Sequence, residues 1–227
     1  MSNDNSTNKL NIAILFTGRI IDDPQQYNNF CEFFLTPLKD HHVDIFVSHS
    51  KGYTPERIQS FTRLYNPKCI TKSSEKYIDT NRFSLHPEAR RHNLMCMFLS
   101  RQNVLQLLDD YVQKSHIKYD LVISSRTDLW FKTPIPFQQF IGRDGRDIHV
   151  PEGSNWGGLN DQCAFGNLEE MRIYLSLYNE IVPLLESGVD LHPESLLKAY
   201  LDRKQITVRR FSTVYEIKRY GQFPNYL

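Results

Sequence analysis

A chain of 227 residues can bury one sizeable core. Its 40% hydrophobic, 23% charged and 12% aromatic content excludes a disordered or fibrous chain. A formal charge of +1 removes the electrostatic signature of a nucleic-acid partner. The four scattered cysteines (Cys31, Cys69, Cys96, Cys163) form neither a C-x-x-C pair nor zinc spacing, no apolar run reaches membrane-spanning length, and residues 1–9 are polar rather than signal-like. A soluble, cytoplasmic protein with reduced thiols and no transmembrane segment is expected.

After a polar tail over residues 1–9, Leu10 to Phe16 is rich in β-formers and runs into Thr17, Gly18 and Arg19. Pro24 opens a helix whose Tyr27, Phe30, Cys31, Phe34, Leu35 and Leu38 recur at a 3.6-residue period. Val43 to Val47 predicts a second strand stopping at Ser48, His49 and Ser50. Thr54, Pro55 and Glu56 combine an N-cap, a proline and an acid at a helix start. A short strand over 68–71 leads into a polar loop from Ser73 to Leu85, then into the longest helix, from about Pro87 to Lys114, with a continuous apolar stripe.

Residues 119–125 predict a strand delivering Arg126 and Asp128 at its carboxyl end. Asp147 to Val150 predicts another strand, residues 154–161 an irregular loop, and Gln162 to Gly166 a return to strand. Leu168 to Glu186 is amphipathic, with Pro183 placed to kink or end it. A helix over Pro193–Arg203 and a strand over 206–208 complete the series. Strands alternating with helices predict an α/β fold, one domain over 10–227 with a mixed, mainly parallel central sheet flanked by helices.

Ligands of open α/β sheets bind beyond the carboxyl ends of the strands, so the residues there are the first candidates. Arg126 and Asp128, two apart on an extended segment, share a face. A guanidinium fork suits phosphate and a carboxylate suits a divalent cation, although a structural Arg–Asp pair closing the strand is the commoner outcome of such a tripeptide. Gly18 permits close backbone approach beside Arg19, but the dinucleotide glycine fingerprint is missing. His49 ends the second strand. Arg101 interrupts the apolar stripe of the long helix, and Arg90, Arg91 and His92 form a basic cluster near its start. Trp156 stands beside Gly157 and Gly158, followed by Asn160, Asp161 and Gln162, a loop composition suited to binding a sugar or base. His192 and Glu194 flank the start of the last helix, where helix capping also accounts for the acid. No nucleophile elbow, P-loop or H-E-x-x-H motif occurs.

Taken in order, the opening strand into Thr17-Gly18-Arg19, the segment Asp44 to His49, Tyr119 to Asp128, Asn160 to Gly166 and His192 to Leu197 resemble small nucleotide-sugar glycosyltransferases with a GT-A-like, Rossmann-like fold, of the type found in bacterial polysaccharide loci and chlorella viruses. The resemblance implies a nucleotide-binding half over about 10–131 and an acceptor-side half over about 132–227. It implies a nucleoside-diphosphate sugar donor, UDP-linked by prevalence, and a glycan or other hydroxyl acceptor. Thr17, Gly18, Arg19, His49, Arg101, Arg126, Asp128, Trp156 and Gln162 are then expected to bind the donor. Asp161 is expected as catalytic base, with Glu194 in reserve. In the GT-A pattern an Asp-x-Asp motif holds a divalent cation against the diphosphate; here Arg126 replaces its first acid. Mn2+ or Mg2+ would fall to Asp128, with His192 as an added ligand. A non-catalytic nucleotide-sugar or glycan-binding module, with Trp156 and Tyr53 as stacking faces, is the alternative.

Overall fold

The computed structural model describes residues 9–50, 52–73, 77–83, 91–140 and 147–218. The tail over 1–8, residues 74–76 and 84–85 of the expected loop, and residues 86–90, with the expected helix start at Pro87 and with Arg90, lie outside the described residues. In chain order the elements are β1 (Asn11–Gly18), α1 (Pro24–Phe30), β2 (His42–His49), α2 (Pro55–Tyr65), β3 (Cys69–Lys72), α3 (Arg91–Ser115), β4 (Leu121–Arg126), β5 (Leu129–Phe131), β6 (Asp147–Pro151), β7 (Cys163–Gly166), α4 (Leu168–Leu175), α5 (Ile181–Glu186), α6 (Pro193–Arg203), β8 (Thr207–Phe211) and β9 (Tyr215–Ile217).

Seven strands form one sheet in the order β3-β2-β1-β4-β7-β6-β8. β1 pairs in parallel with both β2 and β4, and β3 extends the parallel set beyond β2. β7 is antiparallel to β4 and to β6, whereas β6 and β8 run parallel. The expected mixed, mainly parallel sheet flanked by helices is therefore present. Its single reversed strand, β7, means that the chain enters β7 at the edge where β1, β2 and β4 leave.

Alternation along β1 explains why both faces are covered. Ile12, Ile14 and Phe16 pack on one side with Phe30 of α1 and Phe61 of α2, while Ala13 and Leu15 face Leu94, Phe98 and Leu108 of α3 on the other. The first side is strongly aromatic: Phe16 meets Phe30 and Tyr65 edge-on at 5.2 and 5.7 Å, and Phe61 stacks on Tyr65 at 4.3 Å. Such pairs contribute beyond the area they bury, about 0.5–1.5 kcal/mol each.

Local signals explain the helix starts. Asp23 caps α1 by accepting from Gln25 N and Gln26 N, and Thr54 caps α2 by accepting from Arg57 N. The amphipathic stretch 168–186 breaks ahead of its proline: α4 stops at Leu175, a 3-10 turn covers Leu177–Glu180, and Pro183 sits in the first turn of α5. A first-turn residue has no intrahelical acceptor for its N–H, so proline is tolerated there. The small β5–β9 sheet has no counterpart in the expected elements.

Candidate functional site

Strand register assembles the site edge. Gly18 lies opposite His49, and Thr17 lies between Ser48 and Arg126, so three parallel strands end in one row. Ser125 pairs with Cys163, which brings Asp161 and Gln162, just ahead of β7, to the same edge. Gly18 has φ +93°, and a Cβ placed on it would meet nothing within 4 Å. Its lack of a side chain serves the backbone turn, and the space beside it is open. Arg19 is exposed. Its carbonyl accepts from Thr127 Oγ1, which ties the exit of β1 to the turn after β4. The His49 ring contacts the carbonyl of Ser50 at 2.8 Å and meets Tyr53 edge-on at 6.0 Å.

Two arginine–aspartate pairs dominate the electrostatics. Arg126 donates from Nε to Asp128 Oδ1 at 2.8 Å and from Nη2 to Oδ2 at 2.7 Å. Asp128 is buried, whereas the Arg126 side chain keeps 30% of its surface exposed. Burial works against the guanidinium charge, but the hydrogen bonds and charge of Asp128 outweigh it and hold Arg126 above its ordinary value. The second pair lies deeper. Arg101, on α3, donates to both the carbonyl and Oδ2 of Asp161, the latter at 3.0 Å, and both side chains are almost fully buried. Phe98 and Tyr174 lie at 5.3 and 5.6 Å from the Arg101 guanidinium, and Tyr174 OH donates to the Asp161 carbonyl.

Glu194 is the most perturbed carboxyl of the group. Burial first, and then the negative charge of Asp161, push it up to about 7, against the opposing pull of its backbone hydrogen bond and of Arg101. His192 Nδ1 lies 2.9 Å from Glu194 Oε2, close enough for an ionic contact but without hydrogen-bond alignment. The start of α6 is fixed by the loop opposite. A Cβ on Gly158 would fall 2.0 Å from the Glu194 carbonyl, and Leu159 N donates to that same carbonyl. Only glycine fits at 158. Asn160 closes the loop by donating to the Gly153 carbonyl and to Tyr215 OH, and its side-chain carbonyl accepts from Gln162 N. Trp156, at φ +38°, is 62% exposed on that loop.

Several expectations change here. Arg101 does not lie open to a diphosphate; it is buried against Asp161, which makes it a holder of the candidate base. Of the two residues expected to ligate a metal, Asp128 is paired with Arg126 and His192 with Glu194. Among the described residues no three His, Cys, Asp or Glu side chains are grouped to hold a metal ion. The described residues therefore do not fit a Mn2+ or Mg2+ site built from protein ligands alone. Tyr174, Asn160 and Tyr215 emerge as supporting residues. Tyr174 looks like one more apolar member of its helix, and only the fold reveals its polar partner.

The fold and this edge define a mixed α/β protein with a charged cluster at the carboxyl end of its parallel strands. The chain belongs to the family described as domain of unknown function (DUF7796), whose match spans residues 21–225. No curated protein matches it. Among solved structures it is similar to a Desulfovibrio desulfuricans G20 protein described as a nucleotide-diphospho-sugar transferase, at 11% identity and TM-score 0.49, covering 90% of this chain and 80% of that one. It is similar to the galactosyltransferase LgtC, solved with donor and acceptor sugar analogs, at 12% identity and TM-score 0.48, covering 88% and 73%. It is also similar to the glycosyltransferase GlyE of Streptococcus pneumoniae TIGR4, at 12% identity and TM-score 0.44, covering 88% and 45%. A shared fold does not fix function, which resides in the side chains at the site. No helix among the described residues is long and apolar enough to cross a membrane.

Proposed function

We propose that the protein is a glycosyltransferase that moves a sugar from a nucleoside-diphosphate donor to a hydroxyl of a glycan or other acceptor. The UDP-linked donor, and membership of the bacterial-polysaccharide and chlorella-virus type, belong to the same proposal and rest on the sequence resemblance. The observation that carries the reading is the meeting, at one sheet edge, of an open glycine turn, two arginines and a buried carboxyl, Glu194, which burial and Asp161 push up to about 7. Gly18 lets a ligand approach backbone, with Arg19 and Arg126 leaving the neighbouring strand ends. Thr17, His49 and Gln162 line the same edge on the donor side.

In the reaction the acceptor oxygen bonds to the anomeric carbon as the bond from that carbon to the diphosphate oxygen breaks. The electron pair departs with the diphosphate, and the acceptor proton passes to a carboxylate. Glu194 suits that last role better than Asp161. A base works best with its pKa near the working pH, and Glu194 is pushed up to about 7, whereas Asp161 is committed to buried Arg101. Asp161 then acts through charge, raising Glu194.

The test is release of free nucleoside diphosphate from a panel of UDP-, GDP- and dTDP-sugars. Turnover of at least one donor is expected, with Glu194→Gln lowering the transfer rate by about 10²–10⁴-fold. Binding of a donor without any release would instead identify a non-catalytic sugar-nucleotide module. If no donor binds, the reading fails outright.

A further inference from the structure

We infer that the diphosphate is held by guanidinium groups, those of Arg126 and Arg19, so that donor binding requires no divalent cation. This rests on the glycosyltransferase reading and specifies how its leaving group is received. The starting point is the geometry of Asp128. Both of its carboxylate oxygens already accept from Arg126, at 2.8 and 2.7 Å, in a two-point fork, and its side chain is only 2% exposed. A cation drawing on this carboxylate would have to unmake a buried, doubly hydrogen-bonded pair, and removing one partner from such a pair is strongly unfavourable. The described residues provide no group of three acidic, His or Cys side chains to compensate.

The opposite assignment follows from the asymmetry within the pair. Asp128 is closed to solvent while Arg126 is not. The fork uses Nε and Nη2 of Arg126; the other terminal nitrogen makes no hydrogen bond to Asp128. Asp128 is thus a positioning residue that fixes a planar cation at the end of β4. Arg19 leaves the next strand immediately after the open turn at Gly18, and the Thr127 hydroxyl donates to its carbonyl, binding the two arginine-bearing segments together. Two cations on adjacent strand ends match a ligand carrying two linked phosphates, and guanidinium recognises phosphate by the same parallel N–H geometry that it offers a carboxylate. When the bond to the anomeric carbon breaks, the negative charge that collects on the departing diphosphate is met by these fixed cations.

The experiment is calorimetric titration of UDP, and of GDP and dTDP in turn, into the full chain with excess EDTA and again with Mn2+ or Mg2+. For the nucleotide that binds, the dissociation constants in the two buffers are expected to agree within about threefold, less than the tenfold that 1.4 kcal/mol represents. Arg126→Lys, which keeps charge but loses the fork, is expected to weaken binding by about tenfold in EDTA, and Arg19→Ala by about threefold to tenfold. Circular dichroism and urea unfolding of each variant separate lost binding from lost fold. Arg126→Lys and Arg19→Ala both leave a folded chain if the assignment is right. Binding that appears only with Mn2+ or Mg2+ overturns the inference while leaving the glycosyltransferase reading intact. Wild-type affinity in both folded arginine variants also overturns it. If no nucleoside diphosphate binds in either buffer, both the reading and the inference fall.

Discussion

The two arginine–aspartate pairs stand at neighbouring places on one sheet edge and differ in depth. Arg101 and Asp161 are 3% and 6% exposed, whereas Arg126 is 30% exposed over an Asp128 at 2%. Chemically they are the same pair. Environment divides their roles, because a guanidinium sealed among Phe98, Tyr174 and Asp161 can meet only what the fold supplies, while one left half-open can also meet a ligand. A buried ion pair contributes little net stability but is costly to break, so it acts as a rigid support. The deep pair fixes the segment carrying Asp161 against α3, and the shallow pair presents a partly exposed cation at the end of β4.

Breaking the deep pair should have the largest effect. Arg101→Leu leaves the buried Asp161 carboxylate without its partner, and urea unfolding should show a loss of about 3–5 kcal/mol. The double substitution Arg101→Leu with Asp161→Asn should recover most of that loss, since the penalty belongs to the unpaired charge and the residues are in direct contact. A single variant within about 0.5 kcal/mol of wild type would show that the pair is not sealed.

The same contrast marks what could be read from the chain beforehand. Arg126 ends β4 and Asp128 lies two residues on, in the turn before β5 rather than on an extended segment, so the pair is still local in the chain, and the edge it occupies follows from the strand's direction. Arg101 and Asp161 are 60 residues apart, and nothing local in either segment announces the partner. Arg101 stands out only as a charge interrupting an apolar stripe, an anomaly visible without its explanation. Regular elements with chemical punctuation were legible. The proline-started helix Pro193–Arg203 and the capped start at Thr54 lie where their residues place them. β5 and β9 were not, because each has three residues and their pairing is set by ladder contacts 84 to 88 residues apart, such as Phe131 to Tyr215, and by the flanking bond from Lys132 N to the Val214 carbonyl. Glu194 was a plausible helix cap from sequence; its perturbation depends on burial and on Asp161, both products of the fold.

Glu194 gives a smaller and pH-dependent test of the deep pair's field. A carboxyl with a folded pKa raised to about 7 from 4.5 binds its proton more tightly in the folded chain than in the unfolded one. Its favourable contribution is therefore complete below about pH 4.5 and disappears as pH rises toward 7. Glu194→Gln has no such proton to lose. The stability of the variant relative to wild type should increase across that window, by about 3 kcal/mol in total, and level off above it. In an Asp161→Asn background the same Glu194→Gln comparison should span a narrower window, because one source of the upward shift on Glu194 is removed. A difference between Glu194→Gln and wild type that stayed constant with pH would place the carboxyl in water.

The smallest effect is expected outside both pairs, at Trp156. Its φ of +38° is unfavourable for any residue with a Cβ, and the ring is 62% exposed, so the folded chain gains little packing from it. Trp156→Gly should leave stability unchanged or raise it by about 0.5–1 kcal/mol, the strain relief outweighing the added freedom of the unfolded chain. Its effect should add to that of Arg101→Leu, since no contact links the two side chains. If Trp156 serves as the stacking face proposed for a sugar or base, ligand affinity falls in this variant while urea unfolding does not. The sign of that divergence is the informative quantity. A residue that the fold holds in a strained, solvent-facing position at some cost is one whose removal should help the fold and harm the binding, whereas a loss of stability above about 1 kcal/mol would mean that the ring supports the loop closed by Asn160.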